Sequence, residues 1–132
     1  MLLLDLDGLK KINDLHGHLV GSKALCRLAQ VLRTHCRSTD TPARYGGDEF
    51  AVILPEAGAR AAEQVAGRIC RELTIETEQP ELSVSIGAAV FPSDGRRVDD
   101  LLRAADAALY RMKFSAKAKR SGDPAERDRV IG

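Results

Sequence analysis

The sequence predicts an α+β domain: an antiparallel sheet flanked by helices. Three observations carry that reading. Apolar residues recur at helical spacing in three separate stretches, β-prone segments lie between those stretches, and one pair of these segments flanks a glycine-rich turn. With 132 residues, 44% of them hydrophobic and 30% charged, the chain has the composition of an ordinary globular protein and the length of one domain.

Each element follows from its residues. Met1 to Asp7 reads as a buried strand with two carboxylates toward its C-terminal end, broken at Gly8. From Val20 to about Arg37, Leu25, Leu28, Ala29, Leu32 and Cys36 recur at helical spacing, with Lys23, Arg27 and Arg33 expected in water. Thr39 to Pro42 ends that helix. Ala43 to Pro55 predicts a hairpin whose turn is Gly46 to Glu49, where glycine permits positive φ. A second helix is expected from about Arg60 to Leu73, with Ala62, Val65, Ala66, Ile69, Cys70 and Leu73 on one side. Leu82 to Phe91 alternates as a strand does, and Pro92 to Gly95 turns the chain. A third helix from about Val98 to Lys117 carries the stripe Leu101, Leu102, Ala105, Ala108, Leu109 and Met112. The domain is expected over 1–120, with 121–132 a tail. Strand, helix, hairpin, helix, strand, helix is the order of a ferredoxin-like fold.

Composition also excludes function classes. Twenty basic against nineteen acidic residues give a net charge of +1, which provides no global field for nucleic acid or an anionic membrane. The longest apolar run is far too short to span a bilayer and no signal-peptide pattern is present, so a cytoplasmic protein without membrane insertion is expected. Cys26, Cys36 and Cys70 lack CxxC spacing, complete no zinc pattern with His16, His18 and His35, and are expected as small core residues.

The residues with chemical potential are Asp5, Asp7 and Asp48, all near the ends of strands that a sheet would make neighbours. Clustered carboxylates repel unless a cation lies between them, and a hard divalent ion such as Mg²⁺ held with substrate phosphates meets that need. Turn capping by the same side chains is the alternative, and spacing alone does not choose. Gly46 and Gly47 are equally double-edged: a hairpin requires them, and a nucleotide can lie flat on them.

The stretch Arg44-Tyr-Gly-Gly-Asp-Glu-Phe50 resembles the defining motif of the GGDEF family. So do Asp5-Leu-Asp-Gly-Leu-Lys-Lys-Ile-Asn-Asp14, Gly17-His18, Ser83-Val-Ser-Ile-Gly87 and Ala104-Ala-Asp-Ala-Ala-Leu-Tyr110, at matching intervals from Leu2 to about Lys119. The resemblance implies a fold like that of the class III nucleotide cyclases. It also implies a diguanylate cyclase, acting as a homodimer in which two GTP molecules condense to cyclic di-GMP.

Residue by residue, the resemblance implies Mg²⁺ or Mn²⁺ on the Asp5 and Asp48 carboxylates and the Leu6 carbonyl. Asp48 becomes the proton acceptor, supported by Glu49. The β and γ phosphates fall to the backbone of Gly8, Leu9 and Lys10 and to Lys113 and Lys117, the second of which is usually arginine in the family. Asn13 is placed on the guanine edge, and Ser22 stands where the family shows aspartate, which predicts weaker guanine recognition. Arg37-Ser-Thr-Asp40, six residues before Gly46, matches the RxxD inhibitory site for product, with Arg68 as its second arginine. Family members carry a helical segment before the first strand that this sequence lacks, leaving an edge bare or covered by a partner. A catalytically weak domain that binds GTP or cyclic di-GMP as a regulatory module is the alternative function.

Overall fold

A computed structural model describes residues 1–76 and 78–121, with backbone alone over 116–121. It contains strands β1 (Leu2–Leu6), β2 (Thr41–Arg44), β3 (Glu49–Ile53) and β4 (Val84–Ala88). The helices are α1 (Leu9–His16), α2 (His18–His35), α3 (Ala59–Ile75) and α4 (Val98–Ser121). The sheet order is β2-β3-β1-β4 with every neighbouring pair antiparallel, as the element order predicts.

The leucine run of β1 explains its position. Leu2, Leu4 and Leu6 point to one face, where they join Phe50, Val52, Val84 and Ile86 beneath α2 and α3. Leu3 points to the other, where it packs with Ala89, Ala105 and Leu109 beneath α4. A strand buried on both faces reads as continuously apolar. Because β1 is hydrogen-bonded on both sides, the first strand is central and presents no edge; β2, all of whose residues are exposed, and β4 are the outer strands.

The Ser83–Gly87 motif acquires structural reasons. A Cβ on Gly87 would lie 2.1 Å from the Ala105 carbonyl oxygen and 2.4 Å from the Leu109 nitrogen, so glycine is what lets α4 lie against β4. The Ile86 N–H on that outer strand donates to Met112 Sδ at 3.2 Å.

Four expectations need correction. The sequence reading names no helix between Gly8 and Gly17, yet α1 occupies it; with Ile12 its one buried residue, it offers almost no apolar period. Helix α2 is displaced toward the N-terminus relative to the expected Val20–Arg37, starting directly after Gly17 at φ 90°. Arg27 does not face water: its side chain is 12% exposed and bonds Glu76 and the carbonyls of Glu78 and Pro80. Cys26 is exposed on α2, while Cys36 and Cys70 pack partly buried against the core as expected. The tail at 122–132 lies outside the described residues.

Candidate active site

The carboxylates meet because of the sheet register. Asp5, next to last in β1, pairs with Glu49 at the start of β3, so the β2–β3 turn hangs over the end of the central strand. The Leu6 N–H donates to the Asp48 carbonyl at 3.4 Å and ties that turn to β1. Within the turn, the Tyr45 and Gly46 N–H groups both donate to the Glu49 carbonyl, at 2.9 and 3.1 Å. The Arg44 guanidinium donates to the Gly46 carbonyl at 3.2 Å and also to that of Gly47. Sequence reasoning missed Arg44, although an arginine with five donors next to a glycine turn is a signal in itself.

Asp5 lies on the α4 side of the sheet, 5% exposed. Lys113 of α4 forms an ion pair with its Oδ2, while Oδ1 is buried with no hydrogen-bond partner among the described residues. Burial pushes the Asp5 carboxyl up to about 6; Lys113 opposes that rise and the nearby Asp48 charge adds to it. Burial pulls the Lys113 ammonium down, but Asp5, Asp48 and Asp7 together hold it above its ordinary value. A buried orphan carboxylate oxygen beside a second carboxylate, already drawing a lysine, has the chemistry of a divalent-cation ligand. Among the described residues no cluster of three or more His, Cys, Asp or Glu side chains gathers for a metal, so a cation here takes its remaining ligands from backbone, water or substrate.

Asp7 is turned to a different task. Ser83 and Ser85 donate to its two oxygens at 2.9 and 2.6 Å, and its N–H donates to the Ser83 carbonyl at 2.9 Å, which locks the end of β1 to β4. Among the expected binding residues, Gly8 takes φ 68° and turns the chain straight into α1. The N–H groups of Leu9 and Lys10 precede the first intrahelical bond, Ile12 N–H to the Gly8 carbonyl, and so open the helix as donors. Asn13 lies against α2: a Cβ on Gly21 would sit 1.7 Å from its Oδ1. Ser22 is next along α2, exposed, at a cavity of about 380 Å³ between α2 and the β2–β3 hairpin. Lys117 lies on α4 one turn beyond Lys113, its side chain outside the described residues.

Known proteins can now be set beside this geometry. The chain matches the family described as diguanylate cyclase, GGDEF domain, over residues 1–119. It belongs to the GGDEF family. This GGDEF chain is 39% identical over 117 residues to the bifunctional diguanylate cyclase/cyclic di-GMP phosphodiesterase MucR of Pseudomonas aeruginosa, a match covering 86% of this chain and 17% of MucR. The chain therefore spans about a sixth of that curated relative. Its fold matches the GGDEF domain of YfiN (TpbB) from Pseudomonas aeruginosa with a TM-score of 0.81 and 34% identity, covering 86% of this chain and 74% of that one. The GGDEF domain of DgcB from Caulobacter crescentus, in complex with c-di-GMP, matches with a TM-score of 0.76 and 29% identity, covering 86% and 71%.

The GGDEF chain gathers a second polar group away from the glycine turn. The Arg37 guanidinium donates to both Asp40 oxygens, at 3.0 to 3.3 Å, and to the Pro55 carbonyl at 3.1 Å. The Arg37 side chain holds the Asp40 carboxyl below its ordinary value, and Arg68 of α3 adds to that. Arg37 and Asp40 are thus directly paired, and the Arg68 charge acts on the same carboxyl.

Proposed function

We propose that this chain is the catalytic domain of a diguanylate cyclase, condensing two GTP molecules into cyclic di-GMP in the cytoplasm. The observation that carries the proposal is the unpartnered, buried Oδ1 of Asp5 beside Asp48 at the glycine turn. Mg²⁺ or Mn²⁺ at this pair and the Leu6 carbonyl would neutralise the triphosphate and acidify the attacking hydroxyl. No helix among the described residues is long and apolar enough to cross a membrane.

The protein's own groups divide the remaining work. Asp48 accepts the 3′-hydroxyl proton, with Glu49 supporting the acidic environment. The 3′-oxygen then bonds to the α-phosphorus of the second nucleotide, the bond from that phosphorus to the β-phosphate oxygen breaks, and pyrophosphate leaves. Gly8, Leu9 and Lys10 present backbone N–H groups to the β and γ phosphates. Lys113 and Lys117 add positive charge, and Gly46 and Gly47 leave the nucleotide free to lie along the turn. Asn13 and Ser22 meet the base. Each domain holds one GTP, so two copies face one another for the reaction to close.

A regulatory reading of the same fold is supported by Arg37, Asp40 and Arg68: arginines for guanine and phosphate, an aspartate for the base edge. We place product inhibition there, and a domain that binds nucleotide without turning it over is the alternative. Incubating the purified chain with GTP and Mg²⁺ tests the proposal. Cyclic di-GMP that disappears with Asp48→Ala supports it; product formed equally by that variant overturns the assignment of the site.

A further inference from the structure

Among the described residues β4 is an outer strand, so the backbone groups on its far side from β1 have no neighbouring strand to pair with. A side chain serves one of them: the Ile86 N–H donates to Met112 Sδ at 3.2 Å. A thioether is a weak acceptor, and this one belongs to a residue of α4 that is 38% exposed. The helix has no slack toward the sheet, because the Ala105 carbonyl and the Leu109 nitrogen already occupy the space over Gly87. The next residue along α4 is Lys113, whose ammonium pairs with Asp5 Oδ2. Met112 thus connects an outer strand to the lysine of the candidate site.

A mild oxidant changes the sulfur in this contact. A peroxide transfers one oxygen to the thioether: the O–O bond breaks, an S–O bond forms, the sulfur loses two electrons and the peroxide is reduced to water or an alcohol, with no net proton released. An oxygen that accepts from the Ile86 N–H needs about 2.9 Å of its own to the nitrogen. It does not fit between two atoms 3.2 Å apart, so the sulfur has to retreat. An oxygen on the other lone pair instead withdraws electrons from the sulfur and weakens it further as an acceptor. The contact is lost in both cases, and since α4 cannot move inward over Gly87, its retreat is outward and takes Lys113 along. The thiols are less suited to this role: burial pushes Cys36 and Cys70 up, away from the reactive thiolate, and Cys26 lies on α2, across the sheet from α4.

We propose that Met112 is a peroxide-sensitive modification site: oxidation to the sulfoxide breaks its hydrogen bond with Ile86, lifts this part of α4 from β4 and draws Lys113 off Asp5, and reduction of the sulfoxide restores the contact. The site itself stands independently of the cyclase reading. Its consequence rests on that reading: with Lys113 assigned to phosphate, the sulfoxide acts as a reversible brake on turnover.

The test treats the purified chain with hydrogen peroxide and locates the added oxygen by mass spectrometry after cleavage before aspartate, which puts Met112 in a peptide beginning at Asp106, apart from Met1. Amide hydrogen exchange is then followed at Ile86. The expected result is a sulfoxide at Met112 and an Ile86 amide exchanging about threefold faster or more, the scale of one neutral hydrogen bond, with the starting rate regained after treatment with methionine sulfoxide reductases A and B. Met112→Leu, a volume-conserving swap, is expected to show no change at Ile86 on adding peroxide. A Met112 that stays reduced where free methionine is converted overturns the proposal, as does a sulfoxide that leaves Ile86 exchange unchanged. So does an equal acceleration at β3, two strands away, or a peroxide response at Ile86 that Met112→Leu retains. Cyclic di-GMP formation by the same samples reads the brake separately: wild-type turnover untouched by Met112 oxidation overturns the brake and leaves the cyclase reading standing, whereas no product from any sample overturns the cyclase reading and leaves the modification site to be decided by exchange.

Discussion

At the scale of single residues, Asp5 carries the most informative perturbation. Its folded carboxyl lies near 6 against an ordinary 3.8. The folded state thus binds this proton more tightly than the unfolded chain does, so the stability it contributes is full below 3.8 and is lost as pH rises through about 6. In metal-free buffer the denaturant midpoint is expected to fall across that window, and Asp5→Asn to flatten the fall. A cation competes for the same oxygens, so the Mg²⁺ concentration needed for half-maximal activity should rise as pH drops below about 6. Ser85 makes a separate prediction: it is fully buried and donates to Asp7 at 2.6 Å. Ser85→Ala removes a partner from a buried carboxylate and should cost about 1–3 kcal/mol in urea denaturation. Arg44→Ala should leave stability nearly unchanged yet slow turnover, by up to about 10²-fold, since it loosens the turn that carries Asp48.

Among elements, what the sequence disclosed depended on how periodic each segment is. Helices α2, α3 and α4 carry repeating apolar residues and were legible to within a few positions, as was the hairpin around Gly46 and Gly47. Helix α1 was not, because eight residues with one buried side chain give no period to read. The reach of Arg27 to Glu76 and the Glu78 and Pro80 carbonyls was hidden for another reason: a side chain on a polar helix face finds partners only through a loop far along the chain. The candidate site was legible as residue types, Asp5, Asp48 and Lys113 above all. Its division of labour was not, because only the register between β1, β3 and β4 sends Asp5 toward Asp48 and Asp7 toward Ser83 and Ser85. Close docking of α4 on β4 makes the sharpest prediction here. Gly87→Ala places a methyl group against the Ala105 and Leu109 backbone and should destabilise by about 1–3 kcal/mol. Since α4 also carries Lys113, that variant should lose activity under conditions where it is still folded.

For the whole molecule, a central strand buried on both sides delivers a carboxylate to one end of the sheet, where a glycine turn, a helix start and a lysine converge. On the proposed cyclase reading, one such site would hold one nucleotide while the product would contain two, so the reaction would need two copies of the domain in contact. The direct measurement is the initial rate of cyclic dinucleotide formation from GTP and Mg²⁺ across a hundredfold range of protein concentration. A rate per protein molecule that climbs with concentration and then levels off is the expected result. A rate per molecule that stays constant throughout would contradict synthesis by encounter of two domains, and product absent at every concentration would contradict cyclase activity in this chain.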